Sequence, residues 1–140
     1  MNRRTSWHKT DPGAFGALRA AHLTQGEDAE AACCSYLKSQ GLKFLIKNYG
    51  CRFGEIDLIM LDKKILVFVE VRFRKNNVFG GGLESITPAK QQKLRRTAEL
   101  FLQENSQYKN ARFDVVSMSK TNQTSDNQQK YIFEWITNAF

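Results

Sequence analysis

Residues 54–73 read GEIDLIMLDKKILVFVEVRF, and this stretch restricts the fold more than any other. Two apolar runs, Gly54–Leu61 and Ile65–Phe73, are separated only by Asp62, Lys63 and Lys64, which is the span of a tight antiparallel hairpin. The second run is apolar on both faces apart from Glu70 and Arg72, so it belongs in the middle of a sheet covered on both sides. Each run also carries a carboxylate where carboxylates are rare. Asp57 alternates with Ile59 and Leu61, and Glu70 interrupts the most apolar stretch of the chain, so both are expected to be at least partly buried. An ionised carboxylate buried alone is costly enough to take up a proton. A cationic group is therefore expected beside them.

Whether the two acids meet depends on the turn. With Lys63 and Lys64 as a two-residue turn, Asp57 stands directly opposite Glu70 on one face, with Cβ atoms roughly 4.5–5.5 Å apart. With Asp62 and Lys63 as the turn, the acids share a face diagonally at about 7–8 Å. A three-residue turn puts them on opposite faces. Arg72, two residues beyond Glu70, lies on the same side as Glu70 in every case.

The rest of the chain supplies helices and further strands. Residues 1–23 mix Gly, Pro, Ser and basic residues without a period and read as a loosely ordered basic arm. Thr24 and Glu27 form a capping box, after which Ala29, Ala32, Cys33, Tyr36 and Leu37 recur at helical spacing until Gly41. Leu42–Lys47 is a short strand that ends in a turn at Asn48–Gly50. Residues 74–83 (RKNNVFGGGL) hold three consecutive glycines and read as a loop whose glycines act as a hinge. Thr87 caps a second helix with Pro88 at its first position, and Leu94, Thr97, Ala98, Phe101 and Leu102 give it one apolar face up to about Asn105. Arg112–Met118 and Tyr131–Ile136 are two more strands around a polar excursion at 119–129. The order helix, three strands, helix, two strands predicts a mixed α/β sheet with helices on its faces.

At 140 residues the chain has the length of one domain, assigned here to residues 24–140. Such a domain hides roughly 68–70% of its unfolded surface and needs neither disulfide nor structural metal. Cys33, Cys34 and Cys51 are odd in number and two are adjacent, which excludes a disulfide framework. Core packing is expected of them, since no C-x-x-C pair exists and His8 and His22 lie in the arm. No apolar stretch reaches the length of a membrane span or a signal-peptide core, so a cytoplasmic protein without a membrane partner is expected.

The net charge of +7 favours polyanionic partners, nucleic acid ahead of acidic membrane. Residues 71–110 hold eight basic against three acidic side chains, and Arg74, Lys75, Lys90, Lys93 and Arg96 are the candidates for phosphate contact. Two close carboxylates suit a hard divalent ion, since Mg²⁺ is commonly bound through one or two carboxylates while keeping waters and substrate phosphate oxygens. Such an ion offsets the repulsion of the acids, activates a water and stabilises in-line attack on phosphorus. Lys90 shares a face with Leu94, Thr97 and Phe101, at the helix end where backbone N–H groups also favour anions. Taken alone it reads more naturally as a snorkelling lysine. Glu30 lies at the border of the apolar stripe of the first helix, the usual place of a solvated residue.

Gly26–Glu30, GEIDLI at 54–59, FVEVRFR at 68–74, FGGG at 79–82, Lys90, RFDVV at 112–116 and the closing NAF at 138–140 together resemble the YraN family of small bacterial proteins. That family is similar to the archaeal-type Holliday junction resolvases of the PD-(D/E)XK nuclease superfamily. The resemblance covers residues 24–140 and implies a restriction-endonuclease-like mixed sheet of about five strands flanked by helices. It also implies a Mg²⁺- or Mn²⁺-dependent endonuclease acting on DNA, branched DNA included, and a symmetric homodimer. Carried over by position, Asp57 and Glu70 match metal-ligating acids, the Val71 carbonyl a third ligand, Glu30 the helix glutamate that completes the acidic set, and Lys90 the basic position of the following helix. Arg72 stands where the nuclease motif has lysine. An arginine keeps its proton at any working pH, so it cannot be the base that deprotonates water, but it can clamp a phosphate oxygen.

Two other readings compete: a nucleic-acid-binding protein on a nuclease fold without chemistry, and a structural or adaptor protein whose basic face binds an acidic protein. For Asp57 and Glu70 the corresponding reading is a buried ion-pair network with Arg72 and Lys90, which rarely adds stability.

Overall fold

The computed structural model describes residues 16–74, 86–121 and 131–140, with side chains from Gly26 onward. Helix α1 (Gly16–Ser39) is followed by β1 (Lys43–Cys51), β2 (Gly54–Asp62), β3 (Ile65–Arg74), α2 (Pro88–Glu104), β4 (Asn110–Lys120) and β5 (Tyr131–Ile136). The strands form one sheet in the order β1-β2-β3-β4-β5. Neighbours are antiparallel except β3 and β4, which are parallel and joined through α2. A parallel pair needs a crossover of this length. The result is the expected α/β fold, a five-stranded mixed sheet in a restriction-endonuclease-like arrangement.

Strand β3 occupies the centre, as its two apolar faces require. Val67 and Val69 pack with Cys33 and Leu37 of α1, whereas Leu66 and Phe68 pack with Leu94, Ala98 and Phe101 of α2. The two helices thus cover opposite faces. On the α2 side the Phe101 ring meets Tyr49 edge-on at 5.1 Å and Phe68 at 6.0 Å between centroids, the geometry that aromatic quadrupoles favour. Helix α2 begins as its sequence predicts. Thr87 accepts a hydrogen bond from the Lys90 N–H at 3.2 Å, and Pro88 takes the first turn. Cys33 is buried in the α1-side core, and all three cysteines are free thiols.

Three boundaries differ from the sequence reading. Helix α1 starts at Gly16 rather than after Thr24, so the capping box lies inside it. Ala17, Leu18, Arg19, Ala20 and Ala21 are strong helix formers, and propensity carries the helix into a segment that has no amphipathic period. Strand β1 runs to Cys51 instead of turning at Asn48. Asn48 adopts φ 53° within the strand, a conformation asparagine tolerates, and buried Tyr49 fixes the segment to the core through Phe101. The hairpin tip therefore moves to Arg52 and Phe53. Strand β4 also extends two residues beyond each end of the expected run. The hinge assigned to Gly80, Gly81 and Gly82 lies outside the described residues, as does the arm before Gly16.

A carboxylate not singled out in the sequence secures the end of the chain. Asp114 on β4 is 1% exposed. It accepts from Arg112 Nε at 3.0 Å and Nη2 at 3.2 Å, from Trp135 Nε1 at 2.9 Å and from the Asn138 N–H at 2.9 Å. Arg112 reaches on to Asp62 at 3.0 Å. Every oxygen of Asp114 is engaged by a donor, one of them a charged partner that also neutralises it. Removing the acceptor leaves a guanidinium, an indole N–H and a backbone N–H without it. Asp114→Ala is expected to cost about 3–5 kcal/mol, measured as a lower urea midpoint with an unchanged m-value.

Candidate active site

The β2–β3 register runs from Asp62↔Ile65 to Leu58↔Val69. Lys63 and Lys64 are thus a two-residue turn, and Lys63 has φ 56°, the left-handed conformation that tight hairpin turns use. Of the registers open to the sequence, this one sets Asp57 opposite Glu70. The ladder stops at Leu58↔Val69 although both strands continue. Strand β3 remains paired with β4 as far as Arg74↔Ser119, so it is β2 that departs. The side-chain alternation of β2 slips at the same place. Ile56 and Ile59 both pack on the α2 side, while Leu58 between them packs on the α1 side. In the resulting fork the Val71 N–H donates to Asp57 Oδ2 at 2.8 Å. A side chain has taken a place that a strand carbonyl would otherwise fill.

Glu70 points to the α2 side and is 7% exposed. Lys90 Nζ, in the first turn of α2, lies 2.6 Å from its Oε1, and Arg72 Nη1 lies 3.7 Å from the same oxygen. The first contact is a charge-assisted hydrogen bond, and the second is electrostatic only. The Asp57 and Glu70 carboxyls also act on each other electrostatically. Burial raises the Asp57 carboxyl well above the usual aspartate range, and the Glu70 charge raises it further, against the opposing effect of the Val71 N–H bond.

Glu30 stands at the border of α1, half-buried, as its helical position indicates. Its charge acts on Asp57, but it does not join the acid pair directly. With the Asn48 amide turned to satisfy both neighbours, that amide donates to Glu30 Oε2 at 3.0 Å and to Glu55 Oε1 at 3.3 Å. Burial and the Glu55 charge raise the Glu30 carboxyl above its usual range, partly offset by Asn48 and Lys47. Asn48 and Glu55 were not anticipated as neighbours of the site. Asn48 has the residue type of a turn, whereas the pairs Lys47↔Leu58 and Tyr49↔Ile56 on either side of it place it on β1 beside the Asp57 position of β2.

The donor set fits a hard cation. Asp57, raised by burial and by the Glu70 charge, stands beside a second acid whose repulsion a divalent ion would offset, and Mg²⁺ asks for no more than one or two protein carboxylates. Among the described residues no three His, Cys, Asp or Glu side chains gather closely enough to hold an ion by themselves. Asp57 and Glu70 would therefore be completed by backbone oxygen, water or substrate. Of the phosphate-contact candidates, Lys93 and Arg96 are exposed on α2, Arg74 is half-buried at the end of β3, and Lys75 lies outside the described residues. Among the described residues no helix is long and apolar enough to cross a membrane.

Because the folded protein holds the Asp57 proton to higher pH than the unfolded chain, stability falls as pH rises from the ordinary aspartate range through the raised one, and the penalty is complete above it. Asp57→Asn removes the titration and keeps an oxygen for the Val71 N–H. It is expected to raise stability at neutral pH by about 1 kcal/mol, the common size of a stabilising replacement. At a pH below the aspartate range the gain should vanish, as urea denaturation at the two pH values will show.

The sequence matches the profile of the Uncharacterised protein family UPF0102 over residues 29–118. It is similar to a UPF0102 protein of Pseudomonas aeruginosa (strain LESB58), 46% identical over 124 residues that cover 87% of this chain and 96% of the relative. A UPF0102 protein of Nitrosococcus oceani is 45% identical over 123 residues, covering 86% and 94%. One from Psychromonas ingrahamii is 43% identical over 123 residues, covering 88% and 94%.

Proposed function

The chain belongs to the uncharacterised protein family UPF0102, and on that premise we propose that it is a metal-dependent endonuclease hydrolysing phosphodiester bonds in DNA, branched DNA included. The observation that carries this reading is the fork between β2 and β3, where Asp57, held by the Val71 N–H at 2.8 Å, lies beside Glu70, which has the Lys90 ammonium 2.6 Å away. A purely structural network would be expected to pair its acids with cations. Here burial first, and then the Glu70 charge, push the Asp57 carboxyl toward its protonated form, an arrangement that favours an added cation.

Asp57 and Glu70 would hold Mg²⁺ or Mn²⁺, with the Val71 carbonyl as a further oxygen. When bound, that ion supplies charge for the phosphorane-like transition state and acidity for a coordinated water. The chain's own groups do the rest. Val71 fixes the Asp57 carboxylate through its N–H, so the acid is held before substrate arrives. Lys90 neutralises Glu70 and, from the first turn of α2, presents an ammonium and the positive helix end to an entering phosphate. Arg72, whose Nη1 lies 3.7 Å from Glu70 Oε1, adds a guanidinium charge beside the site that would stabilise the charge developing on a nonbridging phosphate oxygen. It cannot serve as base, which leaves that role to a carboxylate or to solvent. Glu30 acts at one remove, through its charge on Asp57 and its bond with Asn48.

One observation favours a second reading, a non-catalytic nucleic-acid-binding protein. Glu70 already has a cation at hydrogen-bond distance, and arginine replaces the lysine of the nuclease motif. The test is a cleavage panel of duplex, flap, junction and single-stranded DNA with Mg²⁺ or Mn²⁺. Asp57→Ala and Glu70→Ala are each expected to lower cleavage by about 10²-fold or more and to leave DNA binding near wild type. Wild-type protein that binds these substrates and cuts none of them would favour the second reading.

A further inference from the structure

The tip of the β1–β2 hairpin lies against α2, one to two helical turns from Lys90. A Cβ added at Gly54 would stand 3.4 Å from Thr97 Oγ1 and 3.7 Å from Lys93 Cβ, ordinary contact distances that show the hairpin tip packed on α2. The contact brings Phe53 beside two guanidinium groups. Arg52 lies 4.8 Å from the ring centroid and Arg96 lies 5.9 Å from it, both within cation–π range. Arg52, Lys93 and Arg96 are exposed. Among the described residues no carboxylate comes within ion-pair distance of either guanidinium. Two like charges gathered on one ring with no acid between them repel each other, and an external anion would relieve that repulsion. The ring also holds both side chains in place, which reduces the ordering entropy lost when they bind.

Their position indicates which anion. Lys90, Lys93 and Arg96 follow one another along α2, and the last lies about 9 Å from the first along the helix axis, close to the axial rise of two to three nucleotides in a B-form strand. Arg95 leaves by the other flank of the helix and lies over Phe140. We propose that Arg52, Phe53 and Arg96 form a clamp for the sugar–phosphate backbone of the strand that enters the acid site, two to three nucleotides from the phosphate to be cut. The location of that phosphate rests on the nuclease reading, whereas the clamp itself is read by binding.

The test titrates labelled duplex and junction DNA with wild-type protein in a chelator, so that nothing is cut, over a range of salt concentrations. Arg52→Gln with Arg96→Gln is expected to weaken binding about tenfold or more and to make the slope of log K against log salt shallower by about 2, since each lost phosphate contact releases about 0.9 fewer ions. Phe53→Leu keeps both charges, so it should weaken binding several-fold while leaving the slope unchanged. Lys109→Gln, in the connection between α2 and β4, should alter neither quantity. Unchanged affinity and slope in the double variant would overturn the clamp. So would wild-type protein that ignores DNA at low salt yet binds polyglutamate, which would assign the surface to an acidic protein. The hydrolytic reading is decided separately by Asp57→Ala. DNA binding that shows the expected slope change in a protein that never cuts would retire the hydrolysis and keep the clamp.

Discussion

The bond from the Val71 N–H to the Asp57 carboxylate is the constraint from which the site follows. A backbone donor at the place where two strands part must be satisfied, because an orphaned amide costs about as much as a lost hydrogen bond. Asp57 satisfies it, and in doing so is held close to Glu70. The central strand can stay fully paired with β4 while β2 turns away, so the opening costs the sheet little. Had β2 continued along β3, both acids would have been part of a closed ladder with no room for a third party between them.

Two kinds of carboxylate can be compared within this one sheet. Asp114 is more deeply buried than Glu70, yet each of its oxygens meets a donor and Arg112 balances its charge. Asp57 has one backbone donor and otherwise faces another acid. Burial alone therefore does not set the charge state of a carboxyl; the balance of donors against acceptors does. The first group holds the C-terminal segment to the fold, whereas in the second burial and the Glu70 charge hold the Asp57 carboxyl toward its neutral form.

Much of the arrangement could be read from residue order. The period-two runs around Lys63 and Lys64, the cap at Thr87 and Pro88, and the doubly apolar run at β3 each have one good physical solution, and the protein adopts it. The pairing of Asp57 with Glu70 was narrowed to a few registers, since local chemistry does not choose between turns of two adjacent kinds. The features that residue order does not carry are tertiary. Asn48 and Gly50 resemble turn residues, but Tyr49 between them is worth more in the core than a turn is worth at that point, so β1 runs on. Asp114 went unremarked because its partners, Trp135 and Asn138, are distant in sequence. Phe53 joined Arg96 only once the hairpin and α2 were folded together.

The two-residue turn at Lys63 and Lys64 has a consequence for how such chains can diverge. Most surface connections gain or lose a residue with little effect. Here a single insertion that shifted the pairing would send Asp57 and Glu70 to opposite sides of the sheet, whereas a double insertion would restore their side with a changed offset. Relatives that keep both acids on one side should thus show length variation at this bend in even steps, an arithmetic signature left in evolution by the pleat of a strand.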